Sequence, residues 1–258
     1  MKLMEGKTGL VAGVANRNSI AWSIAQRLAA EGARVVFSYQ GERLRGRVEA
    51  LVGELEGDHL LLPCDATSDQ EIDILFREIE SQCGGLDFLV HSIAFANKED
   101  IAGHFVNTSR EGFRLAHDVS AYTLVGLARG AAPLMERNGG GSIIALTYLG
   151  SERVVPNYNV MGVAKASLEA SVRYLAADLG PRGIRVNALS PGPISTLAAR
   201  GIAGFSEMLK AVADRAPMRR NTDPAEVADA SLFLLSDMGR GITGELIHID
   251  GGFHIVGM

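Results

Sequence analysis

One doubly wound α/β domain around a seven-stranded parallel sheet is the fold that the sequence predicts. Seven short apolar runs alternate with helix-forming stretches along 258 residues, and few hairpin signals fall between them. No internal repeat, low-complexity tract or linker divides the chain, and at 47% hydrophobic it can fill one large core.

Thr8–Ala12 is an apolar run suited to a buried strand, and Ile20–Glu31 follows with helix formers until Gly32 stops them. Arg34–Ser38 repeats the strand signal, Glu42–Leu55 predicts a second helix, and His59–Pro63 a third strand. Ile72, Leu75, Phe76 and Ile79 mark one face of a third helix by their three- and four-residue spacing. Leu86–Val90 is the fourth strand, a long helical region follows, and Ser142–Thr147, Arg185–Leu189 and Glu245–Ile249 complete the set. The 30 glycines fall mostly at strand ends and turns, as many tight connections require. Right-handed crossovers make this a Rossmann-like sheet whose ligands sit at the carboxyl ends of the strands. Ser190–Arg220 is the most irregular stretch, rich in Gly, Ala and Pro before a helix-compatible part, which suits a cover over a site at about residues 194–215.

Composition excludes several function classes. The net charge of −5 comes with no basic stripe, which argues against nucleic acid as a partner. Two cysteines, Cys64 and Cys83, argue for a reducing compartment and against a disulfide framework. No leading segment has the form of a signal peptide and no apolar run reaches the ~18 residues that span a bilayer, so the expectation is a cytoplasmic protein with no membrane partner. The 6 histidines show no metal-ligand spacing, His248-x5-His254 included, and no metal is expected. No Gly-x-Ser-x-Gly elbow supports hydrolysis.

The chemistry concentrates between Tyr148 and Lys165. If Pro156-Asn157 opens a helix, the step from Tyr158 to Lys165 leaves the two side chains ~20° apart around its axis and two turns apart along it, facing one cleft. A phenol there donates a proton to a developing oxyanion, and the ammonium holds a ribose hydroxyl and favours the transfer. On its own the spacing better suits a buried tyrosine and an amphipathic lysine on an ordinary helix.

Upstream, Gly13-Val-Ala-Asn-Arg-Asn-Ser19-Ile20-Ala21 joins the first strand to the first helix, where a pyrophosphate accepts hydrogen bonds from unpaired helix N-terminal amides. It is a reduced glycine fingerprint, with Ala15, Ser19 and Ala21 in the other close-packed places, and a plain strand-to-helix turn explains it about as well. Gln40 stands past the second strand, where dinucleotide folds often carry an acid for the ribose, and it bonds hydroxyls without repelling a phosphate. Arg43, Arg45 and Arg47 either accept a 2′-phosphate or form a solvated helix face. Asp65, after the third strand, either orients adenine or caps the next turn, and Ser92, Ile93 and Ala94 follow the fourth strand beneath a ribose.

Together, Gly13-x5-Ser19-Ile20-Ala21, Gln40, His91-Ser-Ile-Ala-Phe-Ala96, Tyr148 to Lys165 and Ser190-Pro-Gly-Pro-Ile194 resemble a bacterial enoyl-acyl-carrier-protein reductase of the short-chain dehydrogenase/reductase superfamily, nearly end to end. The specific part is Tyr158-x6-Lys165: ordinary superfamily dehydrogenases place tyrosine four residues before the lysine, where this chain has Met161, and a serine where it has Tyr148. Moving the donor suits the chemistry. In carbonyl reduction the proton goes to the oxygen on the carbon that takes hydride. In an enoyl thioester, hydride goes to C3 while charge collects on the thioester oxygen, further along the conjugated system.

The resemblance implies NADH-dependent reduction of a trans-2-enoyl thioester in fatty acid elongation, with NADPH the lesser expectation. It implies Tyr158 on the enolate oxygen, Lys165 on the nicotinamide ribose, and Tyr148 shaping the acyl pocket or aiding proton supply. By the same transfer Gly13, Ser19, Ile20, Gln40, Asp65, Ala66 and Ile93 contact the cofactor, Ala96 contacts the acyl thioester, and Ile194 with Ser195, Thr196, Leu197 and Ala198 holds the carboxamide and pyrophosphate and begins the substrate lid. Met208 and Leu209 either cover an acyl chain or belong to an ordinary amphipathic helix. Acyl-carrier protein is acidic, yet Gly201–Glu207 contributes no positive charge, and Arg200, Lys210, Arg219 and Arg220 either supply a docking patch or are solvated. Relatives of this fold often form tetramers, and Gly244–Met258 is apolar enough to be buried in a symmetric interface. The competing readings are another short-chain dehydrogenase, which Met161 disfavours because a thioether cannot protonate an alkoxide, and a dinucleotide-sensing protein without turnover.

Overall fold

The computed structural model describes residues 2–196 and 204–257. The apolar runs become strands β1 (Thr8–Ala12), β2 (Arg34–Tyr39), β3 (Leu60–Pro63), β4 (Phe88–His91), β5 (Gly141–Leu146), β6 (Ile184–Pro191) and β7 (Leu246–Ile249). The helices between them are α1 (Ile20–Ala30), α2 (Glu42–Val52), α3 (Asp69–Cys83), the short α4 (Lys98–Ile101), α5 (Arg110–His117), α6 (Thr123–Arg137), α7 (Asn159–Leu179), α8 (Phe205–Arg215) and α9 (Pro224–Leu235). A π-helical turn, Asp118–Tyr122, joins α5 to α6, and a 3-10 turn, Leu149–Ser151, follows β5.

All pairings are parallel, in the order β3-β2-β1-β4-β5-β6-β7. Alternate residues serve opposite faces, as the pleat requires. Leu10 and Ala12 pack with α3, α6 and α7, whereas Val11, Val35 and Phe37 pack with α1, α2 and α9. This is the doubly wound, Rossmann-like seven-stranded sheet that the alternation predicts. Because β1 and β4 are neighbours from which the chain leaves in opposite directions, a crevice opens at their carboxyl ends.

Two local differences have physical causes. His59, expected as the start of the third strand, lies before it, because its Nδ1 accepts the Val35 amide at 3.1 Å and so takes the place of a ladder bond. The helix expected to open at Pro156-Asn157 opens instead at Asn159, with Tyr158 in the capping position. Asn157 and Asn159 both have left-handed backbone, φ 60° and 33°, which breaks the helical run and which asparagine tolerates better than most residues. Among the described residues no helix is long and apolar enough to cross a membrane.

Candidate active site

A cleft of about 590 Å³ lies over the carboxyl ends of β1, β4, β5 and β6. It gathers Gly13, Ser19 and Ile20 from the first turn, Ile93 and Ala96 after β4, Tyr148, Tyr158 and Lys165 around α7, and Ile194 and Thr196 after β6. Gln40, Asp65, Ala66 and Ser195 do not line it, and Leu197 and Ala198 lie outside the described residues.

At its floor Gly13 has φ 110°, and a Cβ there would sit 2.0 Å from the Ser92 carbonyl oxygen. Only glycine lets the β1 turn approach β4 this closely. The Ser19 hydroxyl accepts the amides of Ala15 and Asn16 at 3.2 and 3.1 Å, so it shapes the loop and leaves α1 without a side-chain cap. The uncapped helix end, at a bare glycine floor, is a fitting cradle for the pyrophosphate of a dinucleotide.

On the flank of this cradle, Gln40 donates through Nε2 to Asp65 Oδ2 at 2.9 Å, while Asp65 Oδ1 accepts the amide and hydroxyl of Thr67. Burial pushes the Asp65 carboxyl up, but these hydrogen bonds prevail and hold it below its usual range. That bond uses one of the two Nε2 hydrogens and leaves the Gln40 carbonyl oxygen as an acceptor for a hydroxyl, with the second N–H beside it. Of the nearby cations, Arg45 pairs with Glu42 at 3.6 Å and Arg17 with Glu54.

The reactive groups lie at the other end. Lys165, 5% exposed, donates from Nζ to the Leu146 carbonyl at the end of β5, 2.7 Å away. Burial pushes its pKa down to about 8, against the opposing pull of Glu169. The Tyr148 and Tyr158 rings meet edge to face, centroids 5.0 Å apart at 66°. Burial pushes the Tyr148 phenol up to about 12, and it pushes Tyr158 well above the usual phenol range with help from Tyr148 and Glu169. Both phenols therefore keep their protons near neutral pH. The Tyr148 hydroxyl points at Met208 Sδ, 3.1 Å away, and Met208 and Phe205 bring α8 over the cleft, whereas Leu209 does not line it. Met161 packs with Ala116, Val160 and Ala164, its sulfur 3.7 Å from the Ser120 hydroxyl.

A model of the family described as enoyl-(acyl carrier protein) reductase matches residues 13–254, nearly the whole chain and all the site elements above. The chain belongs to that family. It is an oxidoreductase, and its relatives carry the same activity in their names. The enoyl-acyl-carrier-protein reductase (NADH) FabI of Bacillus subtilis is 55% identical over 98% of this chain and 97% of its own. The enoyl-acyl-carrier-protein reductase (NADPH) FabI of Staphylococcus aureus strain MRSA252 is 51% identical over 98% of each chain. The crystal structure of the Bacillus cereus reductase with NADP+ and indole naphthyridinone superposes with a TM-score of 0.98, at 54% identity over 100% of both chains.

Several residues at this reductase site escaped sequence reasoning. Gly150 and Gly162 let the turn after β5 close on α7: a Cβ on Gly150 would lie 2.4 Å from the Tyr158 ring, and one on Gly162 2.6 Å from the Gly150 carbonyl oxygen. Nothing local marks such a pair. Ser120, in the π-helical turn, accepts the Phe95 amide at 3.0 Å and so fixes the loop that carries Ala96. Lys98 and Phe205 also line the cleft. Arg220, a candidate for carrier docking, pairs with Glu226, and Arg219 donates to the Asp214 carbonyl.

Gly150→Ala should push the Tyr158 ring out of place while leaving the cofactor cradle intact. Turnover is expected to fall on the order of tenfold to a hundredfold, with affinity for the nicotinamide cofactor unchanged, as steady-state kinetics and a binding titration will read.

Proposed function

We propose that this cleft reduces a trans-2-enoyl thioester of acyl-carrier protein with NADH, Tyr158 serving as proton donor and Lys165 as anchor for the nicotinamide ribose. The observation that carries this reading is the shared wall: Tyr158 and Lys165 line one cleft with the Gly13 turn and the uncapped end of α1. When bound there, the reduced nicotinamide supplies a hydride to C3 of the substrate. Negative charge then collects on the thioester oxygen, and the Tyr158 phenol, held in its neutral form by burial, donates to it. The Lys165 ammonium favours that donation electrostatically and hydrogen-bonds the ribose. C2 takes its proton later, from a tyrosine or from water, while the enol oxygen returns its proton to Tyr158, and the thioester carbonyl re-forms in the saturated product. Met161 has no proton to give and sits in an apolar cluster, which supports a donor displaced to Tyr158.

Around these groups, Gly13, Ser19 and Ile20 hold the pyrophosphate side, Ile93 lies beneath the ribose, and Ile194 and Thr196 serve the carboxamide side. Ser195, Leu197 and Ala198 continue that segment by resemblance alone, as Ala66 continues Asp65. Ala96 meets the thioester, and Tyr148 with Met208 and Phe205 covers the acyl chain and excludes water. The chain acts as one domain over residues 1–258, with the covering segment at about 194–215. Two free cysteines suit a cytoplasmic location.

Tyr158→Phe removes the proton and keeps the ring, so turnover should drop with little change in cofactor affinity. Lys165→Ala should instead weaken NADH binding by ~1.5–3 kcal/mol, the usual worth of a charge-assisted hydrogen bond. Kinetics on a short trans-2-enoyl thioester, with a direct titration of NADH, separates the two, and unchanged turnover in Tyr158→Phe rejects the oxyanion role.

The preference for NADH rests on Gln40. Its free acceptor suits the 2′-hydroxyl, and the Asp65 carboxylate bonded to it is repelled by a 2′-phosphate. Relatives carry either cofactor in their names, so the ratio of kcat/KM for NADH and NADPH on one thioester is the direct measure. A ratio above one is expected, and its loss in Gln40→Arg would trace it to this position.

The assembly is proposed to be a tetramer, supported by the exposed Val154, Tyr174 and Ile255 side chains, at 98%, 77% and 68%. Light scattering at micromolar protein should give the tetramer mass, and a monomer mass would refute it.

A further inference from the structure

Glu169 lies one helical turn beyond Lys165 on α7, is 7% exposed, and has no part in the reaction steps described above. Its Oε1 accepts the hydroxyls of Thr147 and Ser151, each at 2.5 Å. Those two residues bracket Tyr148. Thr147 directly follows β5, its amide bonded to the Leu189 carbonyl at 2.9 Å, and Ser151 closes the 3-10 turn with its amide on the Tyr148 carbonyl at 3.0 Å. One carboxylate therefore ties α7 to the chain on both sides of the tyrosine. The (i, i+4) spacing also sets it beside Lys165, with Cβ atoms ~5–6 Å apart.

We propose that Glu169 is a positioning residue of the reductase: it clamps the Tyr148 turn through Thr147 and Ser151, and it supplies the buried negative charge that keeps Lys165 an ammonium for the cofactor. The second half rests on the reading of Lys165 as the ribose anchor.

The surroundings leave this work to Glu169. His91 faces Lys165 from β4, but burial first and then Lys165 itself push its pKa down to about 3, so it stays neutral. Tyr148 and Tyr158 are neutral phenols. On the helices packed against α7, Glu99 and Arg110 are exposed to solvent, and several other charged groups have partners elsewhere. Asp100 of α4 holds the Ser109 amide, Glu111 pairs with Arg114 on α5, and His117 bonds the Phe113 carbonyl. Asp118 of the π-helical turn acts on Arg114, while Arg129, Glu136 and Arg137 of α6 pair with Asp69, Arg182 and Glu80. Lys98, exposed to solvent, also lines the cleft.

The sign follows directly. Burial lowers the Lys165 pKa and Glu169 raises it, so removing the charge moves the loss of the ammonium to lower pH. Glu169→Gln keeps an oxygen for both hydroxyls and removes only the charge. NADH affinity is measured by titration from pH 6 to 9.5 in the wild type, Glu169→Gln and Lys165→Ala. Wild-type affinity should fall as pH rises through about 8. In Glu169→Gln the fall should come about one pH unit earlier, with near-wild-type affinity at pH 6, and in Lys165→Ala binding should be weak and flat. If Lys165→Ala retains the fall, the ribose assignment and the charge role fail together. If Lys165→Ala is flat but Glu169→Gln follows the wild-type curve, only the charge role fails. Ser151→Ala tests the clamp: kcat on the enoyl thioester should drop several-fold with the NADH curve unmoved, and an unchanged kcat overturns it. Should Glu169→Gln not fold, Glu169→Asp carries the test, since it keeps the charge and slackens the clamp; its NADH curve should track the wild type while kcat falls, and an acid shift or a wild-type kcat would contradict the proposal.

Discussion

A lysine ammonium buried to 5% exposure is the constraint around which the site is organised. A cation removed from water is costly unless it is paired and hydrogen-bonded, and its usual escape is to lose the proton. Here the Leu146 carbonyl accepts from Nζ, and Glu169 opposes the loss of charge. The same burial keeps Tyr148 and Tyr158 as neutral phenols. Burial thus sets two opposite requirements, a base kept charged and two acids kept uncharged.

Close packing delivers that burial. Gly13 against Ser92 and Gly162 against Gly150 are places where backbone meets backbone with no room for a Cβ. The first joins the cradle at the end of β1 to β4, and the second lets the turn after β5 settle on α7 so that the two tyrosine rings touch. Because the glycines act through contact rather than through chemistry, they control geometry while contributing no functional group. The π-helical turn works in the same way, since it aims Ser120 at the Phe95 backbone and so places the loop before Ala96.

The cofactor flank shows how a neutral residue acquires direction. An amide side chain offers a donor and an acceptor, and which one faces a ligand depends on what holds the other. Asp65 takes one N–H of Gln40, which fixes the way the amide is turned. A residue that reads as ambiguous in the chain becomes specific once its neighbour from the adjacent strand end is beside it.

Much of the architecture was decided by local pattern. Apolar runs alternating with helical periodicity define the seven strands and the fold class, since side-chain period is a property of neighbouring residues. Gly13 before a helix, and tyrosines spaced ahead of Lys165, point to the cleft only when taken together with the rest of the motifs, since each alone fits an ordinary turn or helix. Tertiary structure decided what depends on residues far apart in the chain. Tyr158 sits outside α7 because left-handed asparagines flank it, and His59 leaves β3 because its ring binds Val35 on the next strand. Glu169 shows the division most plainly. Its place one turn after Lys165 is legible in the chain, but its work depends on Thr147 and Ser151, which reach it only when α7 packs on the turn after β5. Periodicity specifies which face of an element is apolar; only the packed sheet determines which polar groups meet there, because such contacts form where backbones from distant segments approach within hydrogen-bond reach.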